Sequence, residues 1–149
     1  MGLASEYFLW ARHIMQIYIL FFVFIFFSSN LFAQTNPIGF KTPSGNITCV
    51  QWKEGSGIRC DLAVTEKISI PKPKDCYQVW GQAFELEPQG KPKAGCVGDS
   101  IGVVQVPELP YGQKWQKNGF TCEADKTQLR CTNSEGHGWS LSKKNQKLF

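Results

Sequence analysis

Histidine is scarce in this chain of 149 residues, which contains only two, and its six cysteines include no pair with the C-x-x-C spacing. One of the two histidines, His137, lies beyond the apolar N-terminal region. A zinc enzyme needs several His or carboxylate ligands, and the common metalloprotease motif needs two His on one helix. The sequence therefore predicts no metal site and no cofactor.

Charge is also low and nearly balanced. The chain has 16 Lys and Arg against 12 Asp and Glu, a net charge of +4, and 19% charged residues. So small a basic excess does not indicate a nucleic-acid binder, and we expect no nucleic-acid partner. A hydrophobic content of 42% is too high for a disordered chain. The length fits one compact domain and excludes a large two-domain enzyme.

A long apolar run near the N-terminus predicts export. Residues 14–27 read IMQIYILFFVFIFF, with a basic residue before them and small residues ending at Ala33 after them. These are the parts of a secretory signal peptide. We therefore expect a signal helix within residues 1–33, removed by cleavage after Ala33.

An uncleaved membrane anchor is the alternative, because residues 14–33 have about the length that crosses a bilayer. In that case the membrane is contacted only through this segment. Translation starts at Met1 or Met15, and the sequence leaves this choice open. Either way, residues 34–149 are predicted to be one disulfide-rich β domain outside the cytoplasm, either periplasmic or secreted.

All six cysteines lie in residues 34–149, and an even number in an exported chain predicts a disulfide framework. Residues 47–60 and 120–131 share one pattern, an apolar residue, Thr and Cys followed by an apolar residue, Arg and Cys. Each has a turn-prone middle, so each is predicted to form a hairpin whose cysteines face each other. Among about 15 conceivable sets of pairs, this hypothesis selects Cys49–Cys60, Cys76–Cys96 and Cys122–Cys131.

Glycine (14) and proline (8) interrupt the chain at intervals typical of an all-β domain. We predict a small disulfide-stapled sandwich or barrel of about six to eight strands. The predicted strands are 45–52, 57–63, 79–86, 101–106, 120–124, 128–132 and 139–142.

Aromatic residues are the first candidates for a binding surface. Exposed aromatic rings on a β-sheet bind sugars or peptides by stacking, whereas buried ones fill the core of a small sandwich. The sequence does not decide between the two, since it does not give the direction of the side chains. The aromatic candidates are Trp80, Tyr111, Trp115 and Trp139.

Two proline-bearing lysine stretches form a second candidate surface. Each precedes a cysteine, Cys76 or Cys96, so a bond between those two would gather four lysines. Such a cluster binds an acidic polymer or an anionic surface, unless it is an ordinary solvated loop. The lysines are Lys72, Lys74, Lys91 and Lys93. The basic stretch at residues 142–147 is predicted to be a frayed tail.

A hydrolase is the enzymatic alternative. The stretch from Gly98 to Ile101 resembles the serine block of a hydrolase family, which would use Ser100 or Asp99 with His137. Enzymes with that block carry Asp three residues before the His, and this chain has Ser134 there. We therefore expect a protein that is not an enzyme.

Most of residues 40–142 resembles a family of uncharacterised secreted bacterial proteins, a domain of unknown function. The resemblance is carried by PSGNI-x-C, RCD, WG, C-x-GD, LPYG-x-x-W, GF-x-C and GHG-W, in that order. It implies a secreted disulfide-bonded domain and no catalytic residue. Gly, Pro and Cys dominate these motifs for structural reasons, and the exceptions are Asn46, Asp99, Tyr111 and His137.

The sequence thus favours a non-enzymatic module that binds a macromolecule at the cell envelope, such as an inhibitor of a hydrolase or protease. A rigid disulfide-stapled scaffold lowers the entropy cost of binding. This interpretation predicts an exposed Trp or Tyr with lysines nearby. The alternative is a small extracytoplasmic hydrolase using His137 with Asp99 or Ser100. Neither the partner nor the oligomeric state is predicted.

Overall fold

The computed structural model describes Met15 and Gln16, residues 37–52 and residues 56–149. Residues 36–149 form one compact unit. The predicted signal segment, apart from Met15 and Gln16, lies outside the described residues. Within the described ranges, no helix has the length and apolarity needed to cross a membrane.

Ten strands form two antiparallel five-stranded sheets in the described part of the chain, which confirms the all-β sandwich but exceeds the predicted six to eight strands. In each sheet the strands follow one another in chain order. The first sheet contains β1 (Gly39–Lys41), β2 (Ile47–Trp52), β3 (Gly57–Leu62), β4 (Val79–Leu86) and β5 (Lys93–Val97). The second contains β6 (Lys114–Lys117), β7 (Phe120–Ala124), β8 (Leu129–Thr132), β9 (Gly138–Leu141) and β10 (Gln146–Leu148).

Each sheet carries a row of four residues in register, an aromatic residue, two cysteines and a second aromatic residue. In the first sheet the row is Phe40, Cys49, Cys60 and Phe84. In the second sheet it is Trp115, Cys122, Cys131 and Trp139. The two rows face each other, with ring centroids 5.1 Å apart for Phe40 and Trp115 and 6.5 Å apart for Phe84 and Trp139. The weak repeat in the sequence is therefore a repeated structural unit that builds the core.

The three disulfides join the same pairs of cysteines that the sequence analysis selected. Both hairpin bridges have a Cα–Cα distance of 4.0 Å, because their cysteines are directly opposed. Their four cysteines are fully buried between the sheets. In the third bridge Cys76 is buried and Cys96 is exposed. Three disulfides indicate an oxidising, extracytoplasmic environment.

One predicted strand, residues 101–106, is wrong. Residues 98–108, which we call the strap, instead cross the outer face of the first sheet from the end of β5 to the edge of β1. The N–H of Ile101 donates to Asp61 on β3 (3.0 Å), and the N–H of Lys41 on β1 donates to the carbonyl of Pro107 (2.9 Å). Val106 is buried but Val103 is 81% exposed, so the apolar residues of the strap do not share one buried strand face.

Four short strands, β1, β5, β6 and β10, were not predicted. Each has three to five residues, too few for an alternating pattern to stand out. The basic stretch at residues 142–147 is accordingly not a frayed tail. It contains the turn between β9 and β10, and Gln146 is only 3% exposed.

The long loop of residues 63–78 connects β3 to β4 and is fixed to both sheets. The indole N–H of Trp80 in β4 donates to the carbonyl of Ile70 (3.0 Å). In the second sheet, the side chain of Gln146 accepts from the N–H of Ser69 (2.8 Å) and donates to the carbonyl of Lys67 (3.0 Å). The loop therefore bridges the two layers instead of projecting freely into solvent.

Candidate functional site

Four turns meet at one end of the sandwich and enclose a cavity of about 260 Å³, which we call the basic end cavity. The turns precede β2, precede β6, join β7 to β8 and join β9 to β10. The cavity is lined by Thr42, Ser44, Asn46, Ile47, Glu66, Tyr111, Asp125, Lys126, Thr127, Gln128, Leu141, Ser142, Lys143 and Lys144.

The turn before β2 forms the first wall, and it is rigid. The N–H of Thr42 donates to the carbonyl of Ile47 (2.9 Å), and the hydroxyl of Thr42 accepts from the N–H of Ile47 (3.1 Å). Gly45 has a φ of 69°, which favours glycine at this point of the turn. The side chain of Asn46 is bonded in both directions to the backbone of Val64, at 3.0 and 3.2 Å. Asn46 is thus a structural residue that ties the long loop to this turn.

Tyr111 lies in the turn before β6. The N–H of Gln113 donates to the carbonyl of Pro110 (3.1 Å), and the N–H of Gly112 donates to the carbonyl of Ala124 on β7 (2.8 Å). These bonds fix the backbone on both sides of the ring. Tyr111 is 40% exposed, and its hydroxyl has no hydrogen-bond partner among the described residues. This hydroxyl is available to a ligand.

The carboxylates around the cavity are already engaged. One oxygen of Asp125 accepts from the N–H and the hydroxyl of Thr127 (2.6 and 2.5 Å) and from the N–H of Gln128 (2.8 Å). The side-chain bond from Thr127, followed by the two backbone bonds, lowers the pKa of Asp125. Glu66 lies 3.8 Å from the ammonium group of Lys144. In the described part of the chain, Lys126 and Lys143 form no ion pair. Two ammonium groups therefore remain for an anionic ligand.

Asp99 and Ser100 lie on the strap, at the outer face of the first sheet. Arg59 makes a bidentate pair with Asp61 (2.8 and 3.0 Å) and contacts the carboxylate of Asp99 (3.3 Å). Partial burial disfavours the charged guanidinium, but the bond and charge of Asp61, with those of Asp99, outweigh it and raise the pKa of Arg59. Asp99 is therefore placed to hold the strap through Arg59.

His137 ends the loop between β8 and β9. The side-chain oxygen of Asn133 accepts from the backbone N–H of His137 (3.1 Å), and its amide donates to the carbonyl of Gly90 (2.9 Å). Within the described residues, no hydrogen bond joins the imidazole to Asp99 or Ser100. The hydroxyl of Ser100 accepts from the N–H of Gly102 instead (3.1 Å). The residues of the hydrolase alternative are therefore not joined by hydrogen bonds, and the absence of enzymatic activity stays a prediction.

The three tryptophan candidates contribute to packing or to loop anchoring. Trp139 has no exposed surface and belongs to the core. Its selection as a binding candidate was therefore wrong, because no macromolecule can stack on a fully buried ring. Trp80 is half-buried and anchors the long loop through Ile70. Trp115 is half-buried against Phe40. Of the four aromatic candidates, Tyr111 lines the basic end cavity.

The four candidate lysines do not gather around one bridge. Lys72 and Lys74 lie in the long loop beside Cys76, and the ammonium group of Lys72 donates to the carbonyl of Gln78 (3.2 Å). Lys93 lies opposite Glu85 on β4, three residues before Cys96 and about 10 Å away along an extended strand. Lys91 precedes β5 at the same end. All four are exposed but form two separate pairs.

The lysines of the basic end cavity were missed by the sequence analysis. Lys126 lies in the turn of the second predicted hairpin, and Lys143 and Lys144 lie in the stretch predicted to fray. A signal was present, because each belongs to a short polar stretch between apolar segments. What the sequence does not show is that these two turns meet Tyr111 at one end of the sandwich.

No metal centre accompanies these sites in the ranges that the structure describes, where no three His, Cys, Asp or Glu residues are placed to hold an ion. The model of a family of unknown function, DUF6636, matches residues 21–149. The chain belongs to that family. No curated protein matches the chain, and no solved structure does.

Proposed function

We propose that this member of the DUF6636 family is an exported, non-enzymatic module that binds an anionic polymer of the cell envelope at the basic end cavity. The proposal rests on one observation, the position of Tyr111 beside three lysines at the mouth of a rigid cavity. An exposed Tyr with lysines nearby is the surface that the sequence analysis expected of a binding module.

Charge supports an anionic ligand. Glu66 is paired with Lys144, and Asp125 is hydrogen-bonded within its own turn, so neither carboxylate forms an ion pair with Lys126 or Lys143 in the described residues. Two exposed ammonium groups attract phosphate or carboxylate groups, and salt screens that attraction over about 8–10 Å at ordinary ionic strength. Binding is therefore expected to weaken as salt is added.

Rigidity supports the same proposal. Backbone hydrogen bonds fix the turns that carry Thr42 and Tyr111, and side-chain bonds to Asp125 fix the turn that carries Lys126. Because the walls are ordered before binding, little conformational entropy is lost when a ligand enters. The lysine side chains are the parts that must become ordered.

The proposal is tested by isothermal titration calorimetry, in which the purified, oxidised protein is titrated with polygalacturonate and with inorganic polyphosphate at two salt concentrations. The double variant Lys126→Glu/Lys143→Glu is expected to bind at least about tenfold more weakly. The matched control is Lys72→Glu/Lys74→Glu, which makes the same change of charge on the long loop and should keep wild-type affinity. Equal losses in the two variants, or no binding by the wild type, would contradict the proposal.

Inhibition of a secreted hydrolase is the second candidate, and a different surface favours it. Tyr77 is 90% exposed and follows Cys76, whose bond to Cys96 fixes this end of the long loop. Exposed side chains on a disulfide-anchored loop suit insertion into an enzyme cleft with little loss of entropy. Assays of secreted proteases with and without the protein would detect this activity.

A further inference from the structure

The outer face of the first sheet carries a second cavity, whose lining residues differ in chemistry from those of the basic end cavity. It is a groove of about 370 Å³, which we call the Trp52 groove. Its walls come from β2, β3, β4 and the strap, and the residues are Val50, Trp52, Arg59, Glu85, Glu87 and Ile101.

Trp52 provides an aromatic platform in this groove. It pairs with Gly57 across the β2–β3 hairpin. A Cβ atom on Gly57 would lie 2.6 and 2.8 Å from two atoms of the indole, so the ring sits where a side chain at position 57 would be. The absence of that side chain lets the indole settle against the sheet. The ring remains only half-buried, and its exposed part borders the groove.

Two carboxylates border the same groove. Glu85 is half-buried on β4 and Glu87 is exposed just beyond it. Glu85 lies opposite Arg59 and Lys93 in the sheet, but among the described residues neither carboxylate forms an ion pair or accepts a hydrogen bond. Arg59 is already committed to Asp61 and Asp99. The groove therefore offers a ring face and free hydrogen-bond acceptors.

We infer that the Trp52 groove is a subsite for a neutral sugar ring. The apolar C–H face of a pyranose stacks on an indole, and its peripheral hydroxyls donate to carboxylates. Glu85 and Glu87 disfavour an anionic polymer, so this ligand differs from that of the basic end cavity. The inference goes beyond the proposed function and does not depend on it.

The test is titration of the oxidised full chain with three neutral hexasaccharides, the β-1,4-linked glucose, β-1,4-linked N-acetylglucosamine and α-1,4-linked glucose oligomers. At least one is expected to bind with a change in tryptophan fluorescence. Trp52→Ala is expected to weaken that binding by about tenfold or more. Gly57→Ala should weaken it too, because the new methyl group would displace the indole.

The variant Glu85→Gln/Glu87→Gln keeps the indole ring and removes the charged acceptors. Its affinity for the sugar is expected to be severalfold lower. The control is Lys126→Glu/Lys143→Glu, which should bind the sugar as the wild type does. Melting temperatures show whether each variant is folded. The inference is overturned if no hexasaccharide binds at millimolar concentration, or if a folded Trp52→Ala protein binds normally. Loss of sugar binding only in the lysine variant would also overturn it, because the sugar would then occupy the basic end.

Discussion

The two sheets share one plan in the core and differ on their outer faces. The difference is clearest at two arginines that hold equivalent positions, each directly before the second cysteine of its hairpin. Arg59 in the first sheet is held by Asp61 and Asp99, and its side chain is 14% exposed. Arg130 in the second sheet is exposed and lies over the ring of Phe149, 4.2 Å from the ring centroid.

The comparison teaches that the local pattern determines the hairpin, whereas distant residues determine what its outward side chains do. The strap covers part of the outer face of the first sheet and brings Asp99 to Arg59. No comparable segment crosses Arg130 in the described chain, and its neighbours across the strands are Glu123 and Ser140. Identical residues in a repeat thus acquire different roles.

The largest expected effect tests whether the two rows are equivalent in the core. The variants Cys49→Ala/Cys60→Ala and Cys122→Ala/Cys131→Ala should each lower the free energy of unfolding by about 3 kcal/mol or more, because the unfolded chain regains conformational entropy and core packing is lost. Their losses should agree within about 1 kcal/mol, since the loops are similar, with separations of 11 and 9 residues. Urea unfolding followed by tryptophan fluorescence measures both. A large loss from one bridge and none from the other would break the equivalence.

The next effect sharpens the contrast between the arginines. Arg59→Lys is expected to lower the free energy of unfolding by about 1–3 kcal/mol. A single ammonium group does not reproduce the bidentate contact with Asp61, so the buried carboxylate is left poorly paired. Arg130→Lys keeps a cation over Phe149 and should change stability by less than about 0.5 kcal/mol. The same urea experiment gives both values. Equal costs would mean that the contacts of Arg59 with Asp61 and Asp99 stabilise the fold no more than the exposed position of Arg130 does.

The smallest effect concerns the turn of the second hairpin. The pKa of Asp125 is lowered by hydrogen bonds from Thr127 and Gln128, so its charged form stabilises the folded state at pH above the ordinary value of 3.8. That contribution is lost as the pH falls through the lowered pKa. Asp125→Asn should therefore have a slightly lower melting temperature at pH 7, and the difference from the wild type should shrink as the pH falls below 3.8. A difference that did not change with pH would contradict this account, and calorimetric scans of both proteins decide it.

The hairpins were predictable from sequence, because the two cysteines of each lie at equal distances from a turn-prone centre. The all-β class followed from the spacing of glycine and proline. The strap was mistaken for a strand because Ile101, Val104 and Val106 are apolar. Its path is set by hydrogen bonds to Asp61 and to the edge of β1, which lie far away in sequence.

The candidate site was predicted only in part. Tyr111 was selected for its residue type, and it does line a cavity. Lys126 and Lys143 were not selected, because they come from turns of different hairpins, and no local pattern shows which turns share an end of the sandwich. Trp52 was not selected as a candidate. Its position on Gly57 depends on the register of β2 and β3.

Each disulfide joins a cysteine to the next cysteine along the chain. A polypeptide that crosses a membrane with its N-terminus first exposes its thiols one after another. An oxidase that couples every new thiol to the one already waiting would make the bond at Cys49 and Cys60 first and the bond at Cys122 and Cys131 last. Pairing of this consecutive kind would give the same three crosslinks that the structure contains.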